Sequence, residues 1–272
     1  MSDKPLWPIS RRRPDYISVG LWLWVGAVLT FLFLPIALLV LFSFNTSPLS
    51  TFPLEGLSLT WYERVLNDPD FRHTLVNSLI VLAIAVPIGT AVGTSAALTI
   101  ARYGARWRAL ELLAVISVLP QLLPALVLGV ALLSLYHLLR LPLSLVTVGV
   151  GHALILTPFV TLIVLSRVRG FDFSVEEASR DLGATPWQTF RHVTFPLIRP
   201  SVLGAALIGA SLSLDEFVVT FFTIGGQSTL PLYIWSAVRT TVLPTINAVA
   251  TILLVTTTVV TVVGMRRFSI RL

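Results

Sequence analysis

Six stretches of this 272-residue chain run for twenty or more residues with scarcely a charged side chain, and nothing constrains its fold more. A helix rises 1.5 Å per residue, so about twenty apolar residues cross the roughly 30 Å hydrocarbon layer of a bilayer. The stretches lie at 19–44, 74–100, 109–136, 143–165, 201–224 and 246–265, and each is read as one spanning helix. Charged residues make up 12% of the chain, about half the ~25% usual for soluble domains. The expected fold class is an all-α integral membrane protein with six transmembrane helices. Residues 1–18 form a polar tail, and 19–272 a single transmembrane domain. The first stretch follows Arg11, Arg12 and Arg13, as a cleaved leader would. It is much longer than the apolar part of a leader, about 7–15 residues, so it is expected to be retained.

Lysine and arginine set orientation, because short cytoplasmic connections hold an excess of them. Of the 19, 15 fall in the two tails and the even-numbered connections: Lys4, Arg11, Arg12, Arg13, Arg102, Arg106, Arg108, Arg167, Arg169, Arg180, Arg191, Arg199, Arg266, Arg267 and Arg271. Only Arg64, Arg72, Arg140 and Arg239 fall in the others. Both termini and the connection between stretches four and five are therefore expected in the cytoplasm. The net charge of +6 is spread along these flanks, which argues for topology and against nucleic acid as a partner.

That fourth connection holds the polar segment Ser174–Pro196. Ser174 and Glu177 have capping-box spacing and predict a helix start. Gly183 suits a left-handed helix end. Thr185, Pro186 and Gln188 repeat the start signal, and Pro196 and Pro200 are expected to bound the second short helix. Trp187 and Phe190, three apart, share a face of it. In the outer connection, 45–73, Thr60 and Glu63 predict a further capped helix. Trp61 and Tyr62 are expected at the outer surface, as interfacial aromatics or a docking face.

Several chemistries are excluded. There are no cysteines, so thiolate metal sites and disulfides are absent. The only lysine is Lys4, so a GxxxxGK[ST] phosphate loop cannot exist. His73, His137, His152 and His192 are far apart, and His152 reads as a packed polar residue within stretch four. No HExxH or GxSxG motif supports an enzyme.

Prolines interrupt the apolar stretches at Pro35, Pro87, Pro120, Pro124 and Pro158. Pro120 and Pro124, beside Gln121, form the strongest candidate kink. Two acidic residues, Asp215 and Glu216, lie inside stretch five, about 21 Å along a continuous helix from Ser201. Carboxylates at such depth cost about 2.5–3.5 kcal/mol on insertion scales and usually mark a pathway, although a structural pair is the alternative. With Phe217, Phe221 and Phe222 they would suit a cationic substrate, since ring faces attract ammonium groups.

Glu177-Ala178-Ser179, three residues, Gly183, nine residues, then Val193-Thr194-Phe195-Pro196 resembles the EAA loop of binding-protein-dependent ABC transporter permeases. The departures are Ser179 for Ala, Val193 for Ile and Phe195 for Leu. The segments SLTWYERVL, LVNSLIVLA, LSLDEFVVTFFTIGG and TLPLYIWSAVRTTVLPTINAVAT are similar to permease subunits of spermidine/putrescine-type transporters. The resemblance implies a type I importer permease in the bacterial inner membrane, with a cytoplasmic coupling helix between spans four and five. It implies two copies of an ATPase subunit, a second homologous permease and a periplasmic substrate-binding protein. No cofactor is expected in this chain, since ATP and Mg would be bound by the ATPase. The implied coupling residues are Glu176, Glu177, Ala178, Ser179, Gly183, Pro186, Trp187, Phe190 and Pro196. Related permeases serve iron, aminophosphonates or opines, which leaves the cargo open. A self-sufficient secondary transporter is the reading from another class.

Overall fold

The computed structural model describes residues 16–48, 51–104, 112, 116, 118–240 and 244–267. The basic tail with Lys4 and Arg11 to Arg13, the connection with Arg106 and Arg108, the start of stretch three and Arg271 lie outside them. Apart from an isolated bridge between Asn45 and Leu57, the described secondary structure is helical. Among the described residues, five helices are long and apolar enough to cross a membrane: α1 (Tyr16–Ser43), α3 (Pro69–Tyr103), α5 (Leu145–Arg169), α7 (Pro186–Asp215) and α10 (Pro244–Arg267). Shorter helices are α2 (Thr60–Asn67), α4 (Ala125–Leu138), α6 (Ser174–Asp181), α8 (Val218–Thr223) and α9 (Leu230–Thr240).

The body of the bundle is α3, α5 and α7. Gly89 and Gly93 stand four apart on α3 and bring its backbone against Leu156 and Val160 of α5. A Cβ on Gly93 would lie 2.7 Å from Val160 Cβ and 2.9 Å from the Thr157 carbonyl. Between membrane helices such close approach substitutes for hydrophobic driving force, because lipid is as apolar as the interface. Gly93→Ala is therefore expected to destabilise the chain by about 1–3 kcal/mol, the usual cost of overpacking. A thermal unfolding midpoint in detergent equal to that of the parent chain would refute this.

At one end of α3, Ala97, Leu98 and Ile100 pack with Val160, Val164 and Val168 of α5 and Ile198, Val202 and Ala205 of α7. At the other, Trp61 and Val65 of α2 pack with Phe71, Leu230, Ala248 and Val249. Trp61 is thus buried, not at the outer surface. Its indole N–H donates to the Asn45 carbonyl at 2.7 Å. The expected Thr60/Glu63 box is also absent. Thr60 already lies in the helix, and the Ser58 hydroxyl accepts its N–H at 3.0 Å.

Two predicted spans are broken. Stretch three is helical at 118–122, opens at Leu123 and Pro124, and resumes as α4. The break falls at the predicted proline pair, whereas Pro35, Pro87 and Pro158 sit inside continuous helices. Stretch five ends as a helix at Asp215, and Glu216 turns extended (φ −73°, ψ 107°) before α8 begins. A stretch expected to be one helix is two, α7 and α8. Gly225, with φ +72°, then turns the chain into α9, where no helix was predicted.

Candidate functional site

At the α6 end, the second short helix of the polar segment is not separate. It runs on as α7, a 30-residue helix from Pro186 to Asp215. Pro196 lacks an N–H, and its ring would collide with the carbonyl four residues back. A π turn over Phe190–Thr194 ends one residue short of it, with the Phe195 N–H reaching back to Phe190 O. This wider turn accommodates a proline expected to stop the helix, and Pro200 is likewise carried inside it.

The start of α7 has the predicted reciprocal cap. Thr185 N–H donates to Gln188 Oε1 at 2.8 Å, and Gln188 N–H to Thr185 Oγ1 at 3.3 Å, with Pro186 in the first turn. Gly183 adopts φ +88°, the left-handed conformation that only glycine adopts cheaply. The start of α6 differs from expectation. Phe173 is already helical, Ser174 lies in the first turn, and no Ser174/Glu177 box forms. Asp172 caps instead, accepting from the Ser174 N–H at 3.0 Å, and this bond holds its carboxyl below its ordinary range.

Of the two glutamates on α6, Glu176 turns inward and Glu177 outward. Glu176 Oε1 accepts from Arg102 Nη2 at 2.6 Å and from Thr194 Oγ1 at 2.5 Å. One carboxylate thus joins α6, the end of α3 and the π turn. Arg102 had entered the sequence reading only as a topology marker. Leu182 is 90% exposed and Trp187 66% exposed, beside a groove lined by Ala178, Ser179, Gly183 and Gln188. Phe190 stacks on Trp187 at 5.6 Å but is half-buried against the core. Trp187 is therefore the projecting member of the pair and Phe190 its base. Ser179 faces inward toward Thr189, with hydroxyl oxygens 3.3 Å apart.

The second locus is the break in stretch five. Irregular backbone at membrane depth persists only where protein or a water-filled cavity satisfies it. Glu216 Oε1 accepts the Val219 N–H at 2.9 Å and so caps α8, while the Glu216 carbonyl accepts from Thr220 Oγ1 at 2.8 Å. A cavity of about 270 Å³ lies between the two breaks, lined by Pro120, Gln121, Phe159, Leu212, Asp215 and Glu216. A second, of about 660 Å³, lies between α7, α9 and α10, lined by Ser211, Asp215, Ile234, Thr257, Thr258 and Thr261. Asp215 is exposed and borders both.

Aromatic rings flank the break. Phe217 lies 6.0 Å from Phe221 and 5.2 Å from Trp235 of α9, and Phe221 lies 5.3 Å from Phe222. Trp235 was not singled out in the sequence, because its helix was not foreseen. His152 is buried as expected, with Nδ1 2.9 Å from Ser213 Oγ and Nε2 2.8 Å from Thr220 Oγ1.

The architecture is similar to a chain of a bacterial ABC transporter involved in the import of the acidic polysaccharide alginate. The TM-score is 0.75 at 14% identity, over 94% of this chain and 96% of that one. It is also similar to a chain of the inward-facing MetNI methionine ABC transporter, with a TM-score of 0.59 at 20% identity, over 78% of this chain and 98% of that one. These likenesses concern the fold. In sequence, the chain is 36% identical to the putrescine transport system permease protein PotI of Escherichia coli (strain K12), over 83% of this chain and 82% of PotI. It is 32% identical to the spermidine/putrescine transport system permease protein PotC of Haemophilus influenzae, over 84% of this chain and 88% of PotC. Residues 89–269 match the family model for binding-protein-dependent transport system inner membrane components. The chain belongs to that family: it is an integral inner-membrane permease subunit, a transport component and not an enzyme.

Proposed function

We propose that this chain forms half of the membrane pathway of an ATP-driven importer for a polyamine such as putrescine or spermidine. The observation that carries the cargo is Asp215, an exposed carboxylate bordering two cavities, with Phe217 two residues on and its ring 5.2 Å from that of Trp235. A linear polycation needs an anion for its ammonium groups and ring faces for its methylenes and remaining charge. The putrescine and spermidine/putrescine relatives support the same reading.

A second permease of similar fold would close the pathway, and two ATPase subunits would bind ATP and Mg. A periplasmic binding protein would deliver the cargo. The basic residues argue for cytoplasmic termini and for α6 facing the cytoplasm. There Leu182 and Trp187 would enter a cleft on the ATPase, with Glu177, Ala178, Gly183 and Pro186 shaping the contact. ATPase closure would move α6 and, through Glu176 and the π turn, the whole of α7. Glu216 would then be chiefly the cap of α8, and Asp215 the group that meets substrate.

The test is uptake of radiolabelled putrescine and spermidine into vesicles holding the complete transporter. Uptake is expected to require ATP and loaded binding protein. Transport by this chain alone without nucleotide would overturn the reading in favour of a secondary transporter, and failure to move either amine would remove the polyamine assignment.

A further inference from the structure

Thr220 has one hydroxyl hydrogen, which it donates to the Glu216 carbonyl at 2.8 Å. Its oxygen can therefore meet His152 Nε2 only as an acceptor, so Nε2 must bear the proton. In a neutral imidazole Nδ1 is then an acceptor, and the Ser213 hydroxyl must donate to it. The polar contacts thus fix one tautomer and one direction. Ser213 donates to His152, His152 to Thr220, and Thr220 to Glu216. Ser213 lies two residues before Asp215 on α7, and Thr220 lies on α8. The chain starts on one side of the break, passes through α5, and returns to the backbone carbonyl exposed by the break itself.

We propose that His152 is a positioning residue that sets the angle between α7 and α8 and thereby holds the Asp215 carboxylate in its place between the two cavities. Its effect on transport rests on the reading of Asp215 as the substrate carboxylate, but its effect on the geometry of the break does not. No backbone bond of a continuous helix crosses Glu216, since the chain there is extended. The imidazole holds what a regular i to i−4 ladder would otherwise hold. A five-membered ring with one donor and one acceptor on opposite edges suits two hydroxyls on two separate helices. An amide side chain of either length reaches one of them.

The experiment uses the complete transporter and two readouts. The chain contains no cysteine, so Leu212→Cys, at the wall of the smaller cavity, can be labelled by a cationic methanethiosulfonate reagent and scored on this chain alone. His152→Ala and the near-isosteric Thr220→Val are each expected to change its labelling rate severalfold. In the chain without Leu212→Cys, both are expected to raise the KM for putrescine by about tenfold, the scale of an orphaned buried polar partner. His152→Ala combined with Ser213→Ala is expected to be no worse than His152→Ala alone, because both break one chain. His152→Asn, which can still meet Ser213, is expected to restore part of the labelling rate. Unchanged labelling in both His152→Ala and Thr220→Val, with normal amounts of chain in the membrane, would overturn the proposal. Altered labelling with unchanged putrescine KM would uphold the clasp and remove Asp215 from the substrate path.

Discussion

Asp215→Asn is expected to raise the KM for putrescine and spermidine by about 10–100-fold while the transporter still assembles. A hydrogen bond to a charged group contributes about 1.5–3 kcal/mol, and each 1.4 kcal/mol is a factor of ten. Asparagine matches aspartate in volume, so the cavities keep their shape and the loss reports charge. Glu216→Gln is the internal comparison. Its amide oxygen can still accept from the Val219 N–H, so α8 keeps its cap and uptake is expected to fall by less than about threefold. Equal losses in the two variants would show that the pair acts through its summed charge. No loss in either would take stretch five out of substrate recognition. Uptake kinetics at fixed ATP and saturating binding protein measure all of these.

Glu176→Ala is expected to be the most damaging single change in the α6 region. The Glu176 side chain is 6% exposed and that of Arg102 is 26% exposed. Removing the carboxylate leaves a partly buried guanidinium without its anion and Thr194 without its acceptor. Breaking a buried pair costs about 3–5 kcal/mol, and the partial exposure of Arg102 places this one near the lower bound. Substrate-stimulated ATPase activity of the complete transporter should fall to near its basal rate, and the thermal midpoint should drop. Glu176→Gln can still accept from Arg102 and Thr194 and is expected to keep much of the stability. Glu177→Gln, on the exposed side of α6, should leave the midpoint unchanged. Identical midpoints for Glu176→Ala and Glu177→Gln would contradict this account.

Features set by neighbours in sequence were legible. The Thr185/Gln188 box and the left-handed Gly183 depend on residues within one turn, and both are present. Pro124 marked the break in stretch three for the same reason. Ser174 was misread as a cap because Asp172 offers the same chemistry two residues earlier. Phe173, the residue between them, already has helical φ and ψ and packs against the core, which leaves the Ser174 N–H to Asp172. Trp61 could not be placed, since its acceptor, the Asn45 carbonyl, is sixteen residues away. The break at Glu216 was invisible for a related reason. Its freed backbone is satisfied by side chains, one of which leads to a histidine on another helix. Helix α9 has eleven residues, too few to register as a span. Gly89 and Gly93 stand out in the sequence as small residues within a span, and in the structure their four-residue spacing marks the close contact between α3 and α5.

The run of α7 from Pro186 to Asp215 has a mechanical meaning. At 1.5 Å per residue a 30-residue helix is about 45 Å long. Its first turn belongs to the exposed loop and its last residue to the cavity wall. A push on the loop would then reach the wall along one helix, and the π turn at Phe190–Thr194 with Pro196 and Pro200 behind it is where that helix would bend if the two ends moved unequally.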